Sequence, residues 1–239
     1  MEFMPIQVYS GLPGQGKTLK FADLAIDRLI RNKRRHVRRS KPRRAVAINI
    51  KFAERIEAKF GLFADGGYIL YWRNVTELIK LRDCDIFIDE ISTYFDRTTW
   101  ESLTMETRAF FRLHRHYHIK IWGTTQSFGD VVLDFRRLVD RLFLVRKLFG
   151  SRDKEYADDV IKNIYGLIFY REVDKATFTA TENVDMKTTG LPSWLFITKE
   201  LTSVYDTSAE LDLPDYPPKR HIEFSCEDPN CNFHKVVHL

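Results

Sequence analysis

Cysteine is scarce in this chain, and long apolar runs are missing. The three cysteines, Cys84, Cys226 and Cys231, are too few for a disulfide scaffold and fit a reducing compartment. No stretch approaches the about 18 consecutive uncharged apolar residues that a membrane-spanning helix needs. The N-terminal MEFMPIQVYSG also lacks a basic region followed by an apolar one. The expected location is therefore a cytoplasm.

Acid is absent from one block. Between Arg28 and Arg44 stand ten Lys or Arg and no Asp or Glu. Taking those ten from the total of 38 leaves 28 bases against 33 acids, so the net charge of +5 is a local property. A concentrated basic block of this kind points to a polyanionic partner. Phe, Tyr and Trp are absent from the block, which excludes base stacking as its mode of binding.

The rest of the composition is that of a packed globule. The chain has 239 residues, 44% hydrophobic and 13% aromatic, enough for one sizeable domain with a real core. Short β-branched apolar runs alternate with segments of helical period, which predicts an α/β fold with a mainly parallel sheet. Strands are expected at 6–10, 45–50, 68–72, 84–90, 119–125 and 141–147. Helices are expected at 17–33, 52–59, 101–116 and 131–139, with a short one after Asn74 as cap. Beyond residue 150 the pattern predicts a hairpin of 167–173 with 176–182, and a strand at 194–198. The expected organisation is one α/β domain over 1–212, with a core at 5–149 and a β-rich extension at 150–212. A Pro-rich linker and a small tail follow at 213–239.

The chemistry begins at GLPGQGKT, where Gly11, Leu12, Pro13, Gly14, Gln15, Gly16, Lys17 and Thr18 match G-x-x-x-x-G-K-[ST] between a predicted strand and a predicted helix. Glycines let the backbone curl so that its N–H groups converge on phosphate oxygens, and the following helix N-terminus adds positive potential. Lys17 would reach the β and γ phosphates of ATP, and the Thr18 hydroxyl would bind Mg²⁺. IFIDE supplies the metal-side acid at a strand end: Asp89 for the Mg²⁺ shell and Glu90 to polarise the attacking water. An acid directly after the Asp favours a hydrolysing ATPase over a kinase. At the end of IWGTTQS, Thr125 or Gln126 would touch the γ-phosphate or orient water, with Gln126 preferred.

GLPGQGKT, IFIDE and RLHRHYHIKIWGTTQSFGDVVLDFRRLVD together resemble the ATPase domain of the zonular occludens toxin family, the morphogenesis ATPases of filamentous phages within the FtsK-HerA group of P-loop motors. The resemblance covers about residues 5–146, and VYDTSAEL (204–211) looks like the Tyr-containing segment that closes the family domain. It implies a three-layer RecA-like P-loop NTPase, ATP hydrolysis, and a homo-oligomeric ring, expected as a hexamer, acting on viral single-stranded DNA in virion assembly. It also implies an arginine acting in trans, for which Arg115 and Arg137 are the first candidates beside Arg112 and Arg136. Family members carry a membrane-spanning helix after the ATPase domain, and this sequence shows none. Either a separate membrane protein is the partner, or a capsid is.

Two further features stand outside the resemblance. The block RLIRNKRRHVRRSKPRRA reads as a basic loop that binds DNA backbone without sequence preference; a solvated loop is the alternative reading. Cys226, Cys231, His234 and His238 are spaced C-x4-C-x2-H-x3-H and are chemically suited to structural Zn²⁺, though the gap between the pairs is shorter than in ordinary fingers. His114, His116 and His118 read as partner-facing or buried polar residues. Two functions of other classes stay open at this point: an ATP-binding assembly scaffold without processive movement, and a small-molecule kinase whose lid the basic block would imitate.

Overall fold

The computed structural model describes residues 5–149, 164–179 and 188–205. Its elements in chain order are β1 (Ile6–Ser10), α1 (Lys17–Arg39), β2 (Val46–Ile48), α2 (Glu54–Phe60), β3 (Ile69–Tyr71), β4 (Asp85–Ile88), α3 (Ser92–Phe95), α4 (Arg97–Ser102) and α5 (Met105–Arg112). They continue with β5 (Lys120–Thr125), α6 (Leu133–Arg136), β6 (Arg141–Phe149), β7 (Ile164–Val173), α7 (Lys175–Thr179), β8 (Thr188–Thr198) and α8 (Lys199–Thr202). Among the described residues the strands form one eight-stranded sheet in the order β3-β2-β4-β5-β1-β6-β7-β8. β1 to β6 run parallel, and β7 and β8 are antiparallel additions.

Period-2 alternation divides the central strands between two cores. Val8, Ile86, Ile88, Ile121 and Leu142 face one side, where Phe95, Trp100, Phe111 and Phe135 from α3 to α6 cover them. The Phe95 and Phe135 rings stack at 4.1 Å there. Tyr9, Phe87, Trp122 and Phe143 face the other side, under α1, α2 and α8. Because both faces are covered, β4 and β5 are buried along their whole length, which is why they read as continuous apolar runs. The result is the expected three-layer α/β fold.

α1 forms because Phe21, Ala22, Ala25 and Leu29 recur at helical spacing and are fully buried, with Phe21 meeting Phe87 edge-on at 5.3 Å. The helix is longer than the expected 17–33. Arg and Lys are good helix formers, His36, Arg38 and Arg39 suit the negative end of the helix dipole, and no breaker occurs before Ser40, which takes φ 47° ahead of Pro42. The expected basic loop is thus largely the last turns of α1.

Tertiary packing also changed other boundaries. The expected helix 101–116 is two helices, since Thr104 caps α5 by accepting the Thr107 N–H and interrupts the run. The helix expected over 131–139 is only the single turn of α6. The hairpin of 167–173 with 176–182 does not form: Asp174 accepts the N–H of Ala176, α7 begins at Lys175, and β7 pairs instead with β8. Phe178, counted as a strand residue, is buried against Phe128. Asn74 does cap a turn, a 3-10 helix at Val75–Lys80 with a reciprocal Glu77 bond.

No helix among the described residues is long and apolar enough to cross a membrane. The Cys226, Cys231, His234 and His238 constellation lies outside the described residues.

Candidate functional site

The loop of residues 11–16 leaves the C-terminal end of β1 and enters α1. Gly14 and Gly16 adopt φ 76° and 84°, the left-handed region that favours glycine. Gly11 has a different reason to be glycine: a Cβ there would stand 2.5 Å from the Val145 carbonyl oxygen of β6. Gly16 also lies against β7, where a built Cβ would meet the Ile168 side chain. Gln15 is tied down as well, its Oε1 accepting the Lys147 N–H at 2.8 Å. The later strands therefore hold the loop in shape from one side.

Lys17 is buried, and its Nζ donates to the Gly11 and Leu12 carbonyls at 2.6 and 3.1 Å. Burial lowers its pKa, while Glu90 and Asp89 pull it back up, so both carboxylates lie within electrostatic reach of the loop lysine.

Sheet order makes this meeting possible. β5 lies between β1 and β4, so three parallel strand ends converge, and ligands in open parallel sheets bind beyond such carboxyl ends. Thr124 at the end of β5 links the two acids. Its hydroxyl donates to Asp89 Oδ1 at 2.5 Å and accepts the Glu90 N–H at 2.9 Å. Burial raises the Asp89 pKa and the Glu90 charge adds to the rise, against the Thr124 bond. Glu90 takes φ 53°, an uncommon left-handed backbone for a glutamate. Its Oε1 accepts the Ser92 hydroxyl at 2.7 Å and the Gln126 N–H at 3.0 Å.

Thr124 and Asn49 escaped the sequence reading, and Tyr205 entered it only as part of VYDTSAEL, with no role at the site. Thr124, rather than Thr125, bonds the acids; Thr125 is buried with its hydroxyl on the Ser127 carbonyl, and its own carbonyl accepts the Gly11 N–H. Asn49, just after β2, clamps the Asp89 backbone by accepting its N–H at 2.7 Å and donating to its carbonyl at 3.0 Å. The signal for Asn49 was present, since an amide within AVAINI must find partners when buried. Tyr205 is hydrogen-bonded to the Thr18 side chain, and burial, with the Asp89 charge next, pushes its phenol up to about 12. Its segment is strapped to the core by Ala53 N–H to the Val204 carbonyl at 2.8 Å, and by Arg55, which donates to the Glu200 carbonyl and the Ser203 hydroxyl. No local pattern could connect Tyr205 to Thr18 across 187 positions of chain.

The arginine candidates lie elsewhere. Arg115 pairs with Asp140 at 2.5 Å, and Asp140 also accepts the Ile6 N–H, which places Arg115 at the N-terminal end of β1, away from the loop. Arg137 is exposed just past α6. Arg112 reaches Asp134 at 3.4 Å, and Arg136 is buried. Among the histidines, His114 is buried with Nδ1 on the Phe111 carbonyl, and no cluster of three or more His, Cys, Asp or Glu suited to a metal occurs among the described residues.

The basic block also lies away from the loop. Arg28 and Arg44 converge on Asp85, at the opposite end of β4 from Asp89, with Arg28 Nε at 2.9 Å and Arg44 Nη2 at 2.8 Å. Asn32 donates to the same carboxylate at 3.1 Å. Two of the ten bases are thus structural, and a lid of the block over the phosphates is not formed. Arg34, Arg35, Arg38, Arg39 and Lys41 are exposed.

At the level of sequence, no family model and no curated protein matches the chain. At the level of structure it is similar to the N-terminal domain of zonular occludens toxin from Neisseria meningitidis, with 17% identity, a TM-score of 0.50, and 86% of this chain and 100% of that one covered. It also aligns with the genome packaging NTPase B204 of Sulfolobus turreted icosahedral virus 2, at 16% identity and a TM-score of 0.48, over 75% of this chain and 96% of that one. The flagellar accessory protein FlaH of Methanocaldococcus jannaschii aligns at 14% identity and a TM-score of 0.46, covering 76% and 84%. Identities this low speak to architecture alone, and the architecture is a three-layer α/β fold similar to that of the zonular occludens toxin N-terminal domain.

Proposed function

We propose that this chain is a Mg²⁺-dependent ATPase that works as a homo-oligomeric ring, expected as a hexamer, on viral DNA during packaging, extrusion or virion assembly. One observation carries the reading: Asp89 and Glu90 sit side by side at the end of β4, bridged by Thr124 and within electrostatic reach of Lys17. A site with the loop alone would bind nucleotide; the second acid equips it to hydrolyse.

The residues suit ATP and Mg²⁺. Mg²⁺ is commonly held by one or two protein oxygens, phosphate oxygens and water, and here Thr18 and Asp89 are the protein groups that would hold it. Lys17 and the loop N–H groups would bind the phosphates, and Glu90 would take the proton from the attacking water. When bound, Mg²⁺ supplies charge neutralisation at the phosphates. An arginine from a neighbouring copy, Arg115 or Arg137, would complete the site in trans.

The exposed arginines at the end of α1 support a DNA backbone partner, since each base that neutralises a phosphate releases counterions. The likeness to the zonular occludens toxin domain supports an assembly role, with a membrane or capsid protein as partner and the host cytoplasm, or the inner-membrane surface, as place of action. The domain boundary near 212 and the Zn²⁺-binding tail of Cys226, Cys231, His234 and His238 belong to the same reading.

The test is ATP turnover at low salt with and without single-stranded DNA. Acceleration by DNA, lost together with turnover in Glu90→Gln, is the expected result. Turnover indifferent to DNA, and unchanged in Glu90→Gln, would sink the motor reading.

A further inference from the structure

We infer that the face of β6–β8 opposite α1 binds single-stranded nucleic acid by stacking bases on aromatic side chains. The inference rests on the reading above that a nucleic acid is the partner, and it assigns a site to the bases.

The face follows from strand register. Arg146 of β6 pairs with Phe169 of β7, which pairs with Trp194 of β8, so the three stand in one row across the sheet. The Phe169 and Trp194 rings lie 5.7 Å apart. Two residues along β8 stands Phe196, and two along β7 stands Arg171. The alternate residues, Val145, Ile168, Tyr170, Leu195 and Ile197, point to the other side and join the core under α1 and α8. Among the described residues nothing equivalent covers the first side: Trp194 is 50% exposed and Phe196 54%, and Arg146 and Arg171 are exposed too.

Charge selects the occupant. The three strands contain one acid, Glu172, and it lies on the covered side, where it holds Arg141 at 2.6 Å. The open side therefore presents flat rings and guanidinium planes without a carboxylate from these strands. A flat, anionic polymer fits that combination, because every base has a π-face and arginine serves both stacking and phosphate. Adjacent strands are about 4.8 Å apart, so the row spans about 10 Å, the scale on which a sheet face stacks two or three bases. The basic end of α1 contains no aromatic residue other than His36, so the two surfaces differ in kind: one attracts backbone, the other holds bases.

Trp194 makes the inference measurable, since Trp72, Trp100 and Trp122 are all buried. Oligodeoxythymidylate added to the full chain should quench the emission of the exposed tryptophan over the same concentrations that raise the anisotropy of a labelled oligonucleotide. Trp194→Phe should abolish the quenching yet keep affinity within about threefold, because a ring remains. Trp194→Ala with Phe196→Ala should weaken binding by about tenfold or more with the melting temperature unchanged. Wild-type affinity in the double alanine variant, with no quenching in the parent, overturns the inference and leaves a DNA partner in place through α1. An absence of oligonucleotide binding in the parent removes both. If the double variant changes oligomeric state, or anionic vesicles rather than oligonucleotide quench Trp194, the face is a subunit or lipid contact and the inference fails.

Discussion

The Glu90 carboxylate accepts the backbone N–H of Gln126 at 3.0 Å, so the acid after β4 is held by the strand end beside it. The donor is main chain, and the Gln126 side chain remains exposed and free to serve the γ-phosphate or water. Substitutions should separate these two roles. Glu90→Gln should lower ATP hydrolysis by about 10²-fold or more, the usual scale for losing a positioned general base, with ATP binding retained. Gln126→Ala should keep the Glu90 bond and leave nucleotide affinity intact while slowing single-turnover hydrolysis. Equal hydrolysis in Glu90→Gln and the parent would remove Glu90 from the reaction.

Tyr205 should matter to metal more than to nucleotide. Its phenol bonds Thr18, the hydroxyl expected at Mg²⁺, and one such bond is worth about 1 kcal/mol, close to fivefold in affinity. Tyr205→Phe should therefore raise the Mg²⁺ concentration for half-maximal binding of a fluorescent ATP analogue by about that factor. Binding without metal should be unchanged. A loss of both would mean that Tyr205 acts only in packing.

The loop glycines should differ in kind. In Gly11→Ala the new methyl meets a backbone oxygen of β6 that cannot swing away, and overpacking of this sort costs about 1–3 kcal/mol. In Gly14→Ala the methyl meets open space, and only the left-handed backbone is penalised, about 1–2 kcal/mol. Urea unfolding should rank Gly11→Ala as the less stable, and equal midpoints would contradict the close approach of β6.

Asp85 should make the fold acid-sensitive. Burial alone would raise its carboxyl, but Arg44 and Arg28 overcome that and hold it below the ordinary carboxylate range. A depressed folded value stabilises the protein above the unfolded value of about 3.9, and that stability drains as pH falls toward the folded value. Asp85→Asn leaves two arginines facing a neutral amide and should cost about 3–5 kcal/mol. Urea midpoints from pH 7 to pH 3 should show the parent converging on the variant.

Much of the site was legible in local chemistry. GLPGQGKT stood out because a tight left-handed turn, a helix start and a lysine in that order suit a phosphate, and β1 and the start of α1 formed around it as expected. IFIDE was legible because a run buried on both faces that ends in two acids is costly unless the acids are used. Where the reading went astray, packing overrode local preference. ATFTATE alternates like a strand, yet Asp174 turns it into α7 and Phe178 enters the core. The basic block lacks the apolar spacing that marks a packed helix, yet its Arg and Lys residues favour helix and α1 runs on to Arg39.

Other features depended on partners that only the folded chain brings together. Thr124 and not Thr125 serves the acids because hydrogen bonding to β1 and β4 sets which face of β5 each side chain takes. Asn49 and Tyr205 reach Asp89 and Thr18 only through sheet order and the strap from α8. Asp85 neutralises two of the bases that composition assigned to DNA. Residue order in the loop depends on bonds between neighbours in sequence, and so the chain alone carried the candidate phosphate loop. The partners of each candidate catalytic group depend on strand register and on segments far apart in the chain, and those relations come into being only when the sheet assembles.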